Sequence, residues 1–340
     1  MPNAFWPDQG FGNRGTNVQQ ATKWNGNVYV KPSSGVDGNH GDSPYRARKS
    51  VKAALAIAQA STNSRIMLMA ESNTAASTTD YYSTSLLYNV DGTHLIGVNA
   101  GPLHSQRSRI ANKAGTDATV GTALAALVTH SANGCYVENI EMFQGYGHAN
   151  AVGCLHVSGD RNHFKGCHFA GMGIAASAGA AGGYSLKVSG SENFFEDCTI
   201  GLDTIARTTT NSEILFTANA TTGLGATRNH FRRCRIVSYC TGSGSGHTWV
   251  KAATNTLDRA TIFEDCVFIN YASIANGVAM TQGFSLAAGT GGPDGMVVLQ
   301  KCLMIGVTHD ETTASTRLFK GWTATSTVAD SMIATAATNV

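Results

Sequence analysis

The chain has 340 residues, a net charge of +2 and only 14% charged residues, which excludes a nucleic-acid binder driven by phosphate neutralisation. A hydrophobic fraction of 42% is enough for a core and excludes wholesale disorder. No apolar run reaches the ~18 residues of a membrane span, and the opening Met-Pro-Asn-Ala-Phe-Trp has neither a basic nor an apolar signal-peptide region.

Residues 1–27 carry three aromatics near the start, Phe5, Trp6 and Phe11, then Gly, Asn and Gln, with no clear period. Aromatic anchors are costly to leave in water, so this stretch is predicted to be an extended arm that docks on a particle or subunit. The plain alternative is a disordered terminus. The run from Asn27 to Pro32 reads as a first strand, and 33–43 as a turn-rich loop. Ser43-Pro44 has the form of an N-cap and a first helical residue. Ala47, Val51, Ala54, Leu55 and Ala58 then share one face, which predicts a helix over 43–60. Its other side, with Arg46, Arg48, Lys49 and Lys52, is a solvated face. Such a helix suits the end of a stacked structure, where core and strand edges need a cap.

From Arg65 onward only short strands and turns are expected. Leu86–Tyr88 and His94–Val98 form an early coil, and Val128, Leu155, Leu186 and Ile214 begin later ones. From residue 137 one signature recurs: a large apolar residue, two variable residues, Cys or a stand-in, one residue, and another apolar residue. The copies open at Val137, Phe164, Phe195, Phe231, Phe263 and Leu299, with a weaker seventh at Val328. Their fourth positions are Ile140, Cys167, Cys198, Cys234, Cys266, Cys302 and Ser331. A strand-rich repeat of this size cannot bury its apolar face alone, so it must stack as a solenoid over 28–340, the helix included. The stretches 171–183, 203–212, 241–256 and 287–295 absorb the differences in coil length. Variable loops on one side of a solenoid are the usual place for recognition.

A position that accepts Ile, Cys and Ser is small, buried and stacked. The thiols at 167, 198, 234, 266 and 302 are therefore read as a file of reduced core residues, with bridges between coils as the alternative. No C-x-x-C pair points to zinc, and no metal or cofactor is expected. Asn162, Asn193 and Asn229 align two residues before the signature and are expected to point inward, amide against amide. One residue before the signature, Tyr136, His163, Phe194 and His230 should point outward as an exposed stripe, followed by Ile262 and Val298. The corner pairs Glu196-Asp197, Arg232-Arg233 and Glu264-Asp265 alternate in sign and are expected to stack as a neutralised ladder. Asp160, Glu192 and Asp258 read as solvated turn residues.

The chain resembles the right-handed parallel β-helix, or pectin-lyase-like, superfamily. The likeness rests on Val28-Tyr-Val30, on Gly35-Val-Asp37 through Ser43-Pro44 with its following helix, on His94-Leu-Ile-Gly97, and on the Phe-x-x-Cys-x-Ile signature. It implies an all-β solenoid, an N-terminal capping α-helix and an extended arm. Enzymes of that superfamily use clustered carboxylates, with calcium in the lyases. Here the corner acids alternate with arginines, so no catalytic residue is assigned, although His163 and His230 have the chemistry of bases.

The low charge and the Gly/Ala/Ser/Thr-rich surface are similar to bacteriophage virion proteins. The expectation is a non-enzymatic virion structural protein, made in the host cytoplasm: a capsid decoration or a spike-like accessory. Its partners would be other virion proteins and copies of itself, with a trimer as one option. The candidate interface is Phe5, Trp6, Phe11, Tyr136, His163, Phe194 and His230. The alternatives are a tailspike-like depolymerase of host surface polysaccharide (a hydrolase or lyase) and a glycan receptor that does not cleave.

Overall fold

Short strands with alternating faces need neighbours on both edges, and a recurring unit supplies them by lying on its own previous copy. The computed structural model shows this arrangement. It describes residues 26–58, 64–70, 79–98, 108–220, 222–241, 246–287, 295–311 and 317–320. Successive coils feed three parallel sheets of ten, eight and seven strands. Parallel crossovers take the right hand, and the fold is a mostly-β, right-handed parallel β-helix.

Sheet 1, with ten strands, holds the first signature residues in strands such as His163–Lys165, Phe194–Glu196 and His230–Arg232. Sheet 2, with eight strands, starts near the fourth signature position, as in Ile140–Phe143, His168–Ala170 and Thr199–Arg207. Sheet 3, with seven strands, carries Ala126–His130, Gly153–Val157, Tyr184–Val188 and Ser212–Phe216. Equivalent positions pair without slippage: Phe164 with Phe195, Phe195 with Phe231, Phe231 with Phe263. Their rings therefore stack inside at centroid distances of 5.0, 4.5 and 4.5 Å. Each such contact adds about 0.5–1.5 kcal/mol beyond simple burial.

The corner between sheets 1 and 2 keeps one length in all six described signature copies. Its last residue is left-handed each time: Asn139 (φ 55°), Gly166 (58°), Asp197 (55°), Arg233 (50°), Asp265 (52°) and Lys301 (52°). A side-chain-bearing residue costs about 1–2 kcal/mol there. The stacked backbone offsets this, because the corner continues the hydrogen-bond ladder. Asp197 N–H donates to Arg232 O (3.0 Å), Arg233 N–H to Glu264 O (2.9 Å) and Asp265 N–H to Gln300 O (2.9 Å).

Immediately after this corner come the thiols. All are free; Cys167, Cys198, Cys234 and Cys266 are buried, and Cys302 is partly so. Each Sγ lies 3.3–3.6 Å from a carbonyl of the preceding coil, as Cys198 does from Phe164 O and Cys234 from Phe195 O.

The asparagines point inward but do not pair with one another. Asn193 Oδ1 accepts from the Asn162 backbone N–H (3.0 Å), and its Nδ2 donates to Gly159 O (3.0 Å). Asn229 does the same for Asn193 N–H and Gly190 O. Asn162 serves Cys135 N–H and Ala132 O. The turn from sheet 3 to sheet 1 leaves these backbone groups without strand partners, and a buried donor or acceptor must be satisfied. That need outranks amide-to-amide stacking. In the same turn a Cβ on Gly159 would meet Ala132 O at 2.0 Å, and one on Gly190 would meet Gly159 O at 2.0 Å. Only glycine lets these turns lie directly on one another.

The predicted helix over 43–60 is broken. Ser43-Pro44 opens a single 3-10 turn, Pro44–Arg46, and Ala47 returns to extended backbone (ψ 148°). Arg48 then pairs as a strand residue, donating to Tyr29 O and accepting from Lys31 N–H. Asp37 Oδ1 accepts from the N–H groups of Lys49 and Ser50. The α-helix covers only Val51–Leu55, capped by Ser50 Oγ, with Val51, Ala54 and Leu55 buried. It packs on the strands Asn27–Val30, Arg65–Met69 and Leu86–Tyr88.

Length varies between sheets 2 and 3, where short helices lie at Ala118–Ala123, Ala175–Ala178 and Tyr271–Asn276, and in the later coils also between sheets 3 and 1, as from Phe216 to His230 and from Leu286 to Met296. Two predicted loops are partly strand: Thr199–Arg207 runs into 203–212, and Thr248–Ala252 lies within 241–256. The strand that follows Met296–Gln300 in sheet 1 is Leu318–Lys320. The weak signature copy at 328–333, the arm with Phe5, Trp6 and Phe11, and the predicted helix end at Ala60 lie outside the described residues.

Asn193→Ala leaves two buried backbone groups without partners. Urea unfolding should show a loss of about 1–3 kcal/mol for each. An unchanged midpoint would contradict the bridging role.

Candidate functional site: the outer face of sheet 1

Strand alternation sends two files of side chains outward from sheet 1. The first contains Tyr136, His163, Phe194, His230, Ile262 and Val298, in direct register from coil to coil. The rings touch edge-on or tilted, with centroids 5.1 Å apart for Tyr136 and His163, 4.8 Å for His163 and Phe194, and 5.1 Å for Phe194 and His230. All six side chains are half-buried by their neighbours. The structure thus brings Tyr136, His163, Phe194 and His230 together on one face.

The second file lies two residues along each strand: Glu138, Lys165, Glu196, Arg232, Glu264 and Gln300. Glu196 is ion-paired to Arg232 and to Arg233 (2.9 Å), and Asp197 to Arg233 (2.7 Å). The hydrogen bond from Arg232 holds the Glu196 carboxyl down to about 2. Arg232 also lies over the Phe194 ring at 5.3 Å. Each file-one histidine reaches the carboxylate of the next coil: His163 Nε2 lies 3.3 Å from Glu196, and His230 Nε2 lies 3.1 Å from Glu264. Burial nonetheless lowers the His163 imidazole from its ordinary value and outweighs the attraction of Glu196. This repeated diagonal was legible as His-Phe-Lys lying under Phe-Phe-Glu, and His-Phe-Arg under Ile-Phe-Glu.

The turn acids are more engaged than solvated turn residues. Glu192 bridges Arg161 (2.6 Å) and Arg228, which together lower its carboxyl. Asp160 Oδ1 accepts from Ser191 N–H (2.7 Å). Asp258 lies 3.7 Å from Arg259. Among the described residues, no three His, Cys, Asp or Glu side chains converge as a metal site.

A second polar cluster sits between sheets 2 and 3, and the sequence reading missed it. Arg207 and Glu213 are fully buried and paired at 3.0 Å. Arg207 also donates to Met172 O (2.9 Å) and Gly171 O (3.2 Å). Ser185 Oγ donates to Glu213 Oε2 (2.5 Å), and His247 Nε2 lies 3.5 Å from Glu213. Burial raises the Glu213 carboxyl, and burial with Arg207 lowers the His247 imidazole. A serine, carboxylate and histidine in one cluster have the chemistry of acyl transfer. Here the serine faces the carboxylate rather than the histidine, and Ser185, Glu213 and His247 have no surface open to a substrate. The cluster works as a clamp that ties one coil's loop to the next. In the sequence Arg207 and His247 fall in loops of unequal length, whereas Ser185 and Glu213 stand one residue before Leu186 and Ile214 in successive strands.

No protein-family model matches the chain, and no curated protein sequence matches it. Solved structures do. A pectin methylesterase mutant in complex with a hexasaccharide aligns over 91% of this chain and 92% of its own, at 19% identity and a TM-score of 0.52. The pectin methylesterase from Erwinia chrysanthemi aligns over 87% of this chain and 93% of its own, at 17% identity and a TM-score of 0.46. The Dettilon tailspike protein aligns over 84% of this chain and 50% of its own, at 12% identity and a TM-score of 0.43. The first shows the shared parallel β-helix fold.

Arg207→Met strands Glu213 in the interior. Equilibrium unfolding should register a loss of about 3–5 kcal/mol, the usual cost of removing one partner of a buried pair; the loss should shrink in Arg207→Met/Glu213→Gln. A pH effect follows from His130, which is buried, stacked on Tyr88 at 4.7 Å, and lowered by burial from 6.5 to about 4. The unfolded chain takes up this proton first. Stability is therefore intact above pH ~6.5 and falls between there and about pH 4, by roughly 3 kcal/mol for this ring. His130→Phe should flatten unfolding free energies measured between pH 7 and 4.5, and a parallel curve would count against the assignment.

Proposed function

We propose that this is a non-enzymatic structural protein of a bacteriophage virion, a capsid decoration or spike-like accessory, that uses the outer face of sheet 1 to contact other subunits. One observation carries the contact role: a file of half-exposed rings lies beside a charged file whose central carboxylates, Glu196 and Asp197, are already paired with arginines. Enzymatic sites of the lyase or glycosidase type need carboxylates free to bind calcium, move a proton or attack. On this face Glu196 and Asp197 are committed to Arg232 and Arg233, and Glu264 to His230. What remains is aromatic and near neutral, the composition of a contact surface with a polar rim. The low charge and the Gly/Ala/Ser/Thr-rich surface support the virion assignment. The partners would be other virion proteins and copies of this chain, with the arm at 1–27 as a second attachment.

The test is Tyr136→Ser with Phe194→Ser. Both changes shorten side chains that face outward, so the monomer should fold. Assembly, read as mass by light scattering or as occupancy on the parent particle, should drop at least about tenfold, as expected for loss of central aromatic anchors. Unchanged assembly would reject the contact face. Release of sugars from host capsule or lipopolysaccharide by the purified chain would reject the non-enzymatic reading, and binding without release would favour a glycan receptor.

A further inference from the structure

We propose, resting on the reading of this face as a contact surface, that its occupant is a second copy of the same chain, packed antiparallel about a two-fold axis. The axis lies in the contact plane, along the strands, between the coils of Phe194 and His230. The order of charges in the outer file selects this packing. From N- to C-terminal coils it reads Ile96, Glu138, Lys165, Glu196, Arg232, Glu264, Gln300. The sign changes at every coil from Glu138 to Glu264, a period of two coils or ~9.6 Å.

A two-fold axis along the strands reverses the order of coils and keeps each file opposite itself. Placed level with a coil, it sets like charges face to face. Placed between coils, it sets opposite charges face to face. Between the Phe194 and His230 coils, Glu196 faces Arg232 of the second copy, Lys165 faces Glu264, and Glu138 faces Gln300. The rings follow: Phe194 meets His230, His163 meets Ile262, and Tyr136 meets Val298. Moving the axis one coil toward the N-terminus sets Glu264 against Ile96. Moving it one coil the other way carries Lys165 and Glu138 past the last described coil of the file. A parallel packing about an axis along the solenoid sets each charge against the ring of its own coil and pairs nothing. Interfaces are selected by this kind of complementarity, and like-charge contacts are costly.

Glu196 is only 8% exposed and held by its own arginines, so it contributes little discrimination. The deciding pair is Lys165 with Glu264, whose side chain is 33% exposed. Each such pair occurs twice across a two-fold interface.

The experiment is sedimentation of the full chain and of three variants, with melting temperatures as a folding control. The wild type should be a dimer that weakens with salt. Lys165→Glu and Glu264→Lys should each raise the dissociation constant at least about tenfold, since each creates two like-charge contacts. The double reversal should recover wild-type affinity. A monomeric or three-fold wild type, or a double reversal as weak as the singles, overturns the two-fold packing. If Tyr136→Ser/Phe194→Ser still dissolves the assembly while the reversal pair fails to recover, the packing falls and the contact face stands. If neither set changes the mass, both fall.

Discussion

Backbone pairing fixes neighbouring coils ~4.8 Å apart, and the rest of the structure depends on that spacing. Every side chain finds its counterpart from the next coil as its nearest neighbour. The chain cannot choose contacts one at a time; it chooses whole files. A large ring at one position stacks on the next, as Phe195 does on Phe231. A small polarisable thiol repeats as a row against carbonyls. A charge must be answered by its opposite, as Glu196 is by Arg232. Turn positions obey the same rule. Gly190 sits so close to Gly159 O that no side chain fits, and the asparagines above them close the hydrogen bonds the turn leaves open.

The parts legible in the sequence are those where this repetition is strict. Phe164, Phe195, Phe231 and Phe263 mark sheet 1, and the residues on either side of them mark outside and corner without further information. The inward setting of Asn193 follows from the same alternation. Its partners do not, because a carboxamide can satisfy either another amide or the backbone, and only the geometry of the turn decides. The helix boundary failed for a local reason. Ser43-Pro44 has good capping chemistry, but Arg48 belongs to a strand bridge with Val30, and Asp37 holds the N–H groups where the true helix starts. Arg207 and His247 were illegible because they stand at the ends of connections of unequal length, where repetition carries no information; Glu213 lies in a regular sheet 3 strand, level with Ser185, and only its partners were hidden.

The two polar systems divide structure from surface. The Arg207–Glu213 clamp is sealed and contributes to how loops are held. The Glu196–Arg232 ladder is at the surface and sets the sign pattern an approaching molecule meets. Neither offers an unengaged pair of acids. At 19% identity, the likeness to a pectin methylesterase speaks to winding, not to chemistry.

The unequal corners also divide the molecule into a rigid spine and a tolerant flank. One residue added between Phe195 and Cys198 would reverse the in-and-out alternation of everything stacked beyond it until a later turn restored phase. At Gly182, by contrast, the backbone is left-handed and nothing lies within 4 Å of where a side chain would start. Closing a longer loop costs only about 0.6 kcal/mol per doubling of length. A foreign peptide grafted there would hang from the flank as cargo while the spine kept its winding, which makes this corner a natural point for display.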